Sequence, residues 1–238
     1  MAFFDPYINY LLNYLSEKAL DSTENYFKNK QKTNFNIKRL QLIKSHIKGN
    51  VLRNNLSRAL AFEELMKIEN QDHHEKFLQQ FLLVNTSKSY LKEVLDLHND
   101  IENMSAGKIL PELKLQDHLL NTVSTVKLID KPTVFYFWSQ TQMSHYRNTV
   151  IKAKALKKLF PKYEFKGICI QPFNEIVFEV YRMMNIDPKT QLAFVNFDKD
   201  SKKWVLSLLI RAIVVDADGK IIEGFGNFSS PDFEILLH

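Results

Sequence analysis

The sequence predicts an α/β protein in which an irregular helical region precedes a mixed β-sheet flanked by helices. Two observations support this fold class. From Asp5 to about Met104, apolar residues recur three and four positions apart, which is helical spacing. From near Gly107, short segments rich in β-branched and aromatic residues are separated by prolines and amphipathic stretches. We therefore expect a helical region at residues 1–106 and a sheet domain at residues 107–238.

The first half is predicted to contain four or five helices packed as an irregular bundle. Asn34 and Ser87 are candidate N-caps, and Gly49–Asn50 is a candidate break between helices. The aromatic residues of this half are read first as helical core. The first helix nevertheless carries more aromatic surface than one face buries, so an interface is the alternative. These aromatic residues are Phe3, Phe4, Tyr7, Tyr10, Tyr14, Tyr26 and Phe27.

The second half is predicted to follow the order β-α-β-α-β-β-α. Parallel strands joined by crossover helices and followed by a hairpin give a mixed sheet with helices on both faces. The hairpin turn is placed at residues 216–219. The predicted strands are 133–138, 165–171, 192–197, 211–215 and 221–223, the helices are 144–160 and 174–184, and a last helix starts at 230.

Composition limits the classes of partner and cofactor. The 32 Lys and Arg exceed the 27 Asp and Glu only slightly and lie along the whole chain, so we expect no nucleic-acid partner. A single cysteine excludes an intrachain disulfide and a C-x-x-C pair. His73–His74 has no further ligand at metal-binding spacing, so we expect neither a metal nor a cofactor.

The sequence gives no sign of a membrane segment. No apolar run reaches the ~18 residues that a bilayer span needs. The first residues carry Asp5 and lack a basic start, which is not the pattern of a signal peptide. We therefore expect a chain without a membrane span or a signal peptide.

Several segments of the second half resemble a known family. They are the lead-in KILPELKLQD, the hydrophobic strand ending in Phe137–Trp138, the basic helix that follows it, and the hairpin IVVDADGKII. Together they resemble the thioredoxin-like fold, and within it the bacterial envelope proteins related to TlpA and to the peroxiredoxins. The resemblance covers about Gly107 to His238. It implies a thioredoxin-like sheet and a location on the periplasmic side of a bacterial envelope.

The same resemblance implies that the redox site is degenerate. The family usually reads Phe-Trp-Ala-x-Trp-Cys-x-x-Cys at the turn, and this chain reads FWSQTQMSH. Gln142 replaces the nucleophilic cysteine and His145 replaces the resolving one, while Ile210 stands where the family has a cis-proline. Thiol–disulfide exchange needs two sulfurs, so the reaction is excluded at this turn. The degenerate positions are Trp138, Thr141, Gln142, His145 and Ile210.

The predicted function is binding or assembly, with a protein or peptide as the partner. The start of the helix after the turn keeps free N–H groups and the positive end of its dipole, which favour an anion, a carboxylate or a partner's carbonyl. The candidate binding residues are Gln142, His145, Arg147 and Arg211. Partner identity and oligomeric state stay open at this point.

Three alternatives also stay open. In the first, the chain is a thiol-dependent oxidoreductase or peroxidase that uses Cys169, although the apolar context GICIQ favours a buried, inert thiol. Another activity would be built on Thr141, His145 and Arg147, with the imidazole activating the hydroxyl. The third is a structural or carbohydrate-associated accessory protein.

The basic helix after the turn is interpreted as amphipathic. Its lysines are expected to form a solvated face. The opposite face is expected to direct Val150, Ile151, Ala155 and Leu159 inward. The lysines are Lys152, Lys154, Lys157, Lys158 and Lys162.

Overall fold

The computed structural model describes residues 6–20, 33–67 and 71–238. The chain divides into two compact units, Met1–Asn99 and Asp100–His238. The boundary expected between residues 106 and 107 stays a prediction. Of the aromatic residues singled out above, Phe3, Phe4, Tyr26 and Phe27 lie outside the described residues.

The described part of the first half contains five α-helices. Ser87 caps the last of them, since its Oγ accepts from the N–H of Tyr90 at 3.5 Å. Gly49 is the N-cap of the third, which confirms the break there. Asn34 is not an N-cap, because the second helix already includes Thr33. The helices are α1 (Pro6–Ala19), α2 (Thr33–His46), α3 (Asn50–Leu65), α4 (Gln71–Leu82) and α5 (Lys88–Asn103).

A buried polar cluster joins the first three helices. Glu64 is fully buried, and its carboxylate accepts from Asn36 Nδ2 at 2.6 Å and from Lys67 Nζ at 2.9 Å. Arg39 is 3% exposed and donates to Glu63 Oε1 at 2.9 Å and to the carbonyl of Leu12 in α1 at 3.2 Å. Buried charges are tolerated when they are paired and hydrogen-bonded, and they then restrict how the helices pack.

The second half forms a seven-stranded mixed sheet in the order β2-β1-β5-β4-β3-β6-β7. The strands β3, β4 and β5 are parallel, and β6 and β7 complete the sheet as an antiparallel hairpin. The strands are β1 (Lys114–Gln116), β2 (Thr122–Ser124), β3 (Thr133–Trp138), β4 (Glu164–Cys169), β5 (Gln191–Phe194), β6 (Arg211–Val215) and β7 (Ile221–Asn227). The helices are α6 (Met143–Leu159), α7 (Glu175–Met183) and the short α8 (Phe197–Asp200). The 3₁₀ helices are Thr125–Leu128, Pro188–Thr190 and Pro231–Leu237.

The central strand β3 is buried at every position because both faces of the sheet are covered. On one face, the ring of Phe135 packs 5.5 Å from that of Trp204. On the other, the ring of Trp138 stacks on Tyr146 of α6 at 3.9 Å. This double burial explains why the strand is an unbroken apolar run.

Several sheet elements differ from the sequence prediction. Strand β4 ends at Cys169 instead of residue 171. The β1–β2 hairpin is absent from that prediction because its strands are only three residues long. Strand β5 ends at Phe194 because Asn196 caps the short α8 and accepts from the N–H of Lys199 at 3.1 Å. Strand β7 continues beyond residue 223. Its Gly224 allows close approach of the chain, since a Cβ there would lie 2.0 Å from the carbonyl oxygen of Met104.

The last helix begins after Ser230 as predicted, but it is a 3₁₀ helix. The hairpin turn also lies where it is predicted. Asp216 Oδ1 accepts from the N–H groups of Asp218 at 2.9 Å and of Lys220 at 2.8 Å, and Gly219 has φ +77°. A positive φ is the conformation that favours glycine at this position.

The predicted inward face of α6 is wrong. Ile151 and Leu159 are 59% and 66% exposed, and of the predicted set only Val150 is buried. Because one residue turns the helix by about 100°, choosing the neighbouring stripe exchanges a buried face for an exposed one. The buried residues of α6 are Tyr146, Thr149, Val150, Ala153 and Leu156.

The lysines of α6 are not simply a solvated face. Lys152 donates to the carbonyl of Ser230 at 2.6 Å, and Lys154 donates to that of Asn185 at 2.8 Å. Lys157 donates to a backbone carbonyl at 2.7 Å and to a carboxylate at 2.8 Å. These lysines therefore attach α6 to the segments around it. The remaining two, Lys158 and Lys162, are exposed.

Candidate functional site

The turn between β3 and α6 is held by side-chain hydrogen bonds. Ser139 is 1% exposed, and its Oγ lies 2.8 Å from Thr141 Oγ1. Gln171, two residues beyond the neighbouring strand β4, donates to Ser139 Oγ at 2.8 Å and accepts from the backbone N–H of Gln140 at 3.0 Å. The turn is thus fixed from the adjacent strand.

Gln142 occupies the N-cap position of α6 and is exposed. Its side chain makes no capping hydrogen bond. The first N–H groups of a helix have no intrahelical partner, so those at the start of α6 stay available to an acceptor. The positive end of the helix dipole lies at the same place.

His145 lies three residues further along α6 and is partly buried. Its Nδ1 is buried without a hydrogen-bond partner among the described residues. Burial lowers the pKa of His145 below its ordinary value. The imidazole is therefore neutral at neutral pH.

The imidazole-activated hydroxyl considered above is not formed. Thr141 Oγ1 is engaged with Ser139, and no hydrogen bond joins it to His145 within the described residues. Arg147 is exposed on the next turn of α6. The geometry gives this set no catalytic arrangement.

Arg211 is unsuited to anion binding. It is 6% exposed, and its guanidinium donates to the carbonyl oxygens of Trp204, Val205 and Gly224. It also lies 4.1 Å from the ring centre of Phe225. Burial lowers the pKa of Arg211 to about 9, so it stays charged at neutral pH. Its donors are used inside the protein, which makes it a structural residue.

Ile210 lies before β6 and is 37% exposed. The peptide bond before it is trans, as are the other described peptide bonds. Its carbonyl accepts from the N–H of Phe228 at 2.7 Å. Leu208, two residues earlier, is 62% exposed.

Cys169 is the chain's single cysteine and is fully buried at the end of β4, opposite Trp138 in the sheet. Its Sγ accepts from Gln140 Nε2 at 3.7 Å and lies 3.5 Å from Gln171 Oε1. Burial raises the pKa of the Cys169 thiol to about 11. A thiol that stays protonated is a poor nucleophile.

Replacing Cys169 by alanine should change the alkaline stability profile. Between the ordinary thiol pKa of 9.0 and about 11, the folded protein holds a proton that the unfolded chain releases. This contribution to stability is complete below pH 9 and is lost as the pH rises through 11. We expect the free energy of unfolding of Cys169→Ala to fall less steeply in this window, by up to about 1.4 kcal/mol per pH unit.

Urea unfolding at several alkaline pH values measures this slope. Burial also raises the pKa of Tyr136, to about 12, and this contribution stays in both proteins at higher pH. Met183→Ala, at a residue that is 86% exposed, is the control and should keep the wild-type slope. Parallel profiles for wild type and Cys169→Ala would contradict the assignment.

Sequence reasoning missed four polar residues around the turn, and the structure brings them together. Asn174 Nδ2 donates to Gln140 Oε1 at 2.6 Å, although the two residues are 34 positions apart. The topology offers a signal, because the carboxyl ends of neighbouring parallel strands meet at one edge of a sheet. The four residues are Ser139, Gln140, Gln171 and Asn174.

The aromatic residues of α1 are not core. Tyr7, Tyr10 and Tyr14 are 56%, 67% and 47% exposed. The core interpretation is wrong for these three, because the buried stripe of α1 runs through Leu12 and Leu15 instead.

The histidine pair is split by its helix. His73 is exposed and His74 is buried, with its ring centre 6.1 Å from that of His98. Across residues 6–20, 33–67 and 71–238, no group of three or more His, Cys, Asp or Glu is placed to hold a metal ion. No helix in those ranges combines the length and apolarity that a bilayer crossing requires.

The mixed sheet, its flanking helices and the strand–turn–helix at residue 138 define a thioredoxin-like α/β protein, and a single cysteine leaves it without a C-x-x-C pair. The chain is similar to a solved thioredoxin-like protein from Bacteroides caccae, with 10% identity and a TM-score of 0.53 over 86% of this chain and 77% of that one. At this identity the similarity establishes the fold alone.

Two other solved structures match the chain with lower TM-scores. The thioredoxin domain of a thiol-disulfide oxidoreductase from Bacteroides vulgatus is 20% identical, with a TM-score of 0.42 over 49% of this chain and 85% of that one. A thiol:disulfide interchange protein from a Bacteroides species is 18% identical, with a TM-score of 0.44 over 50% and 80%. A scan against protein-family models finds no match, and a search of the curated proteins finds none.

Proposed function

We propose that this chain is a redox-inactive thioredoxin-like module that binds a protein or peptide partner. One observation carries the proposal: the turn after β3 presents Gln142 and His145, while the single cysteine is buried at the end of β4. Fold and chemistry separate in this way because stability resides in the packed core and function in a small site.

The helix start retains what a partner's acceptor group needs. Helix α6 is 17 residues long, and its N-cap side chain leaves the first N–H groups unbonded. With His145 neutral, the positive end of the helix dipole supplies the attraction. A carboxylate or backbone carbonyl of a partner is the group that suits these donors.

A variant that supplies its own acceptor group at the helix start would test this binding site. Gln142→Asp places a carboxylate at the N-cap, where it accepts from N–H groups of the first turn and adds up to about 1 kcal/mol to helix stability. Peptides selected by display on the wild type should bind Gln142→Asp at least tenfold more weakly, although the variant is at least as stable. Titration calorimetry measures the affinities and thermal unfolding measures the stability.

The matched control is Asn148→Asp, which introduces the same charge at an exposed position of α6 away from its first turn. It should keep wild-type affinity. Equal binding by wild type and Gln142→Asp would exclude the helix start as the binding site. Failure to select any peptide would overturn the proposed function itself.

A periplasmic location in the bacterial envelope is part of the proposal. It rests on the resemblance of residues 107–238 to envelope proteins of the thioredoxin-like fold. Fusing alkaline phosphatase to the product of the complete native gene tests it, because the reporter is active only after export. An inactive but intact fusion would contradict this location.

The peroxidase alternative receives no support from the thiol. Cys169 is 0% exposed and its pKa is raised to about 11, whereas a peroxidatic cysteine must be an accessible thiolate. Rapid consumption of hydrogen peroxide by the folded protein, lost in Cys169→Ala, would reverse this conclusion.

A further inference from the structure

The outward face of α6 carries apolar side chains. Ile151 and Leu159 are 59% and 66% exposed, and Ala155 between them is also exposed. Residues four positions apart lie along one line of a helix, so these three form a stripe. The buried residues of α6 lie about half a turn away from it, on the side that packs against the sheet. We call Ile151, Ala155 and Leu159 the outward stripe.

The charged residues of α6 are all basic. Residues 143–159 contain one arginine and four lysines but no aspartate or glutamate. Two of these cations are compensated, because Lys157 pairs with Glu164 at 2.8 Å and Lys152 interacts electrostatically with Glu234. Within the described part of the chain, no salt bridge involves the other three or the lysine just beyond the helix. These uncompensated cations are Arg147, Lys154, Lys158 and Lys162.

Three of the uncompensated cations lie on one side of the outward stripe. Arg147, Lys154 and Lys158 are seven and four positions apart, which places them in a row beside it. Lys154 donates to backbone carbonyls only, so its charge is not neutralised. Because one residue turns the helix by about 100°, Lys152 lies on the opposite flank, and Glu234 lies with it. The exposed face therefore combines an apolar stripe with a basic row.

The outward stripe is separate from the start of α6. In the first turn, Met143 lines a cavity of about 170 Å³ together with Trp138 and Gln140, and its exposed side chain shows that the cavity is open to solvent. Ile151 lies eight residues further along the helix, which corresponds to about 12 Å. The two surfaces can therefore be altered independently.

The charge on this face determines which occupants suit it. A second copy of the chain would bring one basic row against another, which is electrostatically unfavourable. An acidic surface is favourable. A specific protein interface also needs a packed core and about 800 Å² from each partner, whereas this face is a convex ridge with two separated large apolar side chains. A bilayer surface needs no matching shape, because lipids rearrange around side chains that enter it.

We propose that the outward face of α6 binds the surface of an anionic lipid bilayer. The helix lies in the plane of the membrane surface and does not cross it. Ile151 and Leu159 enter the boundary between headgroups and acyl chains. The basic row and Lys162 contact the lipid phosphates. This surface goes beyond the proposed function, which uses the start of the helix.

Sedimentation with lipid vesicles tests the proposal on the complete chain. Vesicles of phosphatidylglycerol and phosphatidylcholine in equal parts should bind the protein at least about tenfold more tightly than phosphatidylcholine vesicles. Raising the salt from about 0.1 M to about 1 M should release most of the protein, because the screening length falls from about 10 Å to about 3 Å. Equal binding to the two kinds of vesicle would overturn the proposal.

Removing positive charge from this face should weaken the binding to anionic vesicles. Lys158→Gln/Lys162→Gln changes two exposed residues and should weaken it about tenfold or more. The matched control is Lys199→Gln/Lys202→Gln, which removes the same charge near Trp204, on the other face of the sheet. It should weaken binding less than about twofold. Equal losses in the two double variants would show that binding follows net charge alone, and the assignment to α6 would fail.

The outward stripe should contribute to binding beyond charge. Ile151→Gln/Leu159→Gln keeps every charge and should bind anionic vesicles about fivefold more weakly, because the apolar side chains no longer enter the bilayer. Leu83→Gln, at a 63% exposed leucine of the first unit, is the control and should bind like the wild type. Wild-type binding by the Ile151/Leu159 variant would contradict insertion of the stripe.

A fluorescent label distinguishes a bilayer from an acidic protein as the partner. Ala155→Cys can be labelled selectively with an environment-sensitive fluorophore, because Cys169 is buried. Anionic vesicles should shift its emission to the blue, and a label at Lys199→Cys should not respond. Binding of poly-glutamate without a vesicle-induced shift would indicate an acidic protein and overturn the proposal. Each of these failures leaves the result with Gln142→Asp unaffected, so the membrane surface and the proposed function fail separately.

Discussion

Arg211→Leu should lose about 3 to 5 kcal/mol of unfolding free energy. The guanidinium is buried and bonded to the carbonyl oxygens of Trp204, Val205 and Gly224. Leucine leaves these acceptors buried without donors, and each such group costs about 1–3 kcal/mol. It also frees the segment before β6 from β7. Chemical unfolding monitored by circular dichroism measures the loss.

Arg147→Leu is the matched control for this substitution. Arg147 is exposed on α6, so its removal should change stability by less than about 0.5 kcal/mol. Arg211→Lys retains the charge but not the fork of donors, and it should lose less than Arg211→Leu. Similar losses for Arg211→Leu and Arg147→Leu would show that the buried hydrogen bonds contribute little.

The double variant Gln142→Cys/His145→Cys should form a disulfide stoichiometrically on mild oxidation. Gln142 is the N-cap of α6, and His145 lies three residues later in its first turn. Residues three apart in a helix have Cα atoms roughly 5 Å apart, within the range that a disulfide bridges. The helix start should also lower the pKa of the thiol at position 142 below its ordinary value. Thiol titration and mass spectrometry measure both effects.

The single variant Gln142→Cys is the control, since it has no second accessible thiol. Cys169 should stay unreactive in both variants while they are folded. The wild type should reduce insulin no faster than the dithiothreitol added to the assay. If the double variant does not close its disulfide, the turn does not have the geometry on which the redox comparison rests. Insulin reduction by the wild type would contradict the proposed function.

Local sequence patterns predicted most of the sheet and its central turn. Strands 133–138 and 211–215 were predicted with the bounds that the structure has. Short-range signals suffice here because an unbroken apolar run and a flanking proline act within the segment itself. The absence of a second cysteine needs no structure at all, and it excludes exchange chemistry at the turn.

The sequence did not predict the roles of residues whose hydrogen-bond partners lie far away along the chain. Arg211 was predicted to bind an anion. The sequence around it does not indicate that its guanidinium donates to the carbonyl oxygen of Gly224. The turn network joins Ser139 to Gln171 across 32 positions, and only the parallel pairing of β3 and β4 makes them neighbours.

The sequence by itself determined most of the strands and helices, including β3 and β6, and that the chain has one thiol. The tertiary structure decided which face of α6 is buried and which carbonyl oxygens accept hydrogen bonds from Arg211. It also decided that an open cavity lies beside Trp138. The physical reason is the range of the forces involved. Backbone preference and apolar spacing act over a few residues, whereas burial and hydrogen-bond satisfaction depend on everything that packs around a side chain.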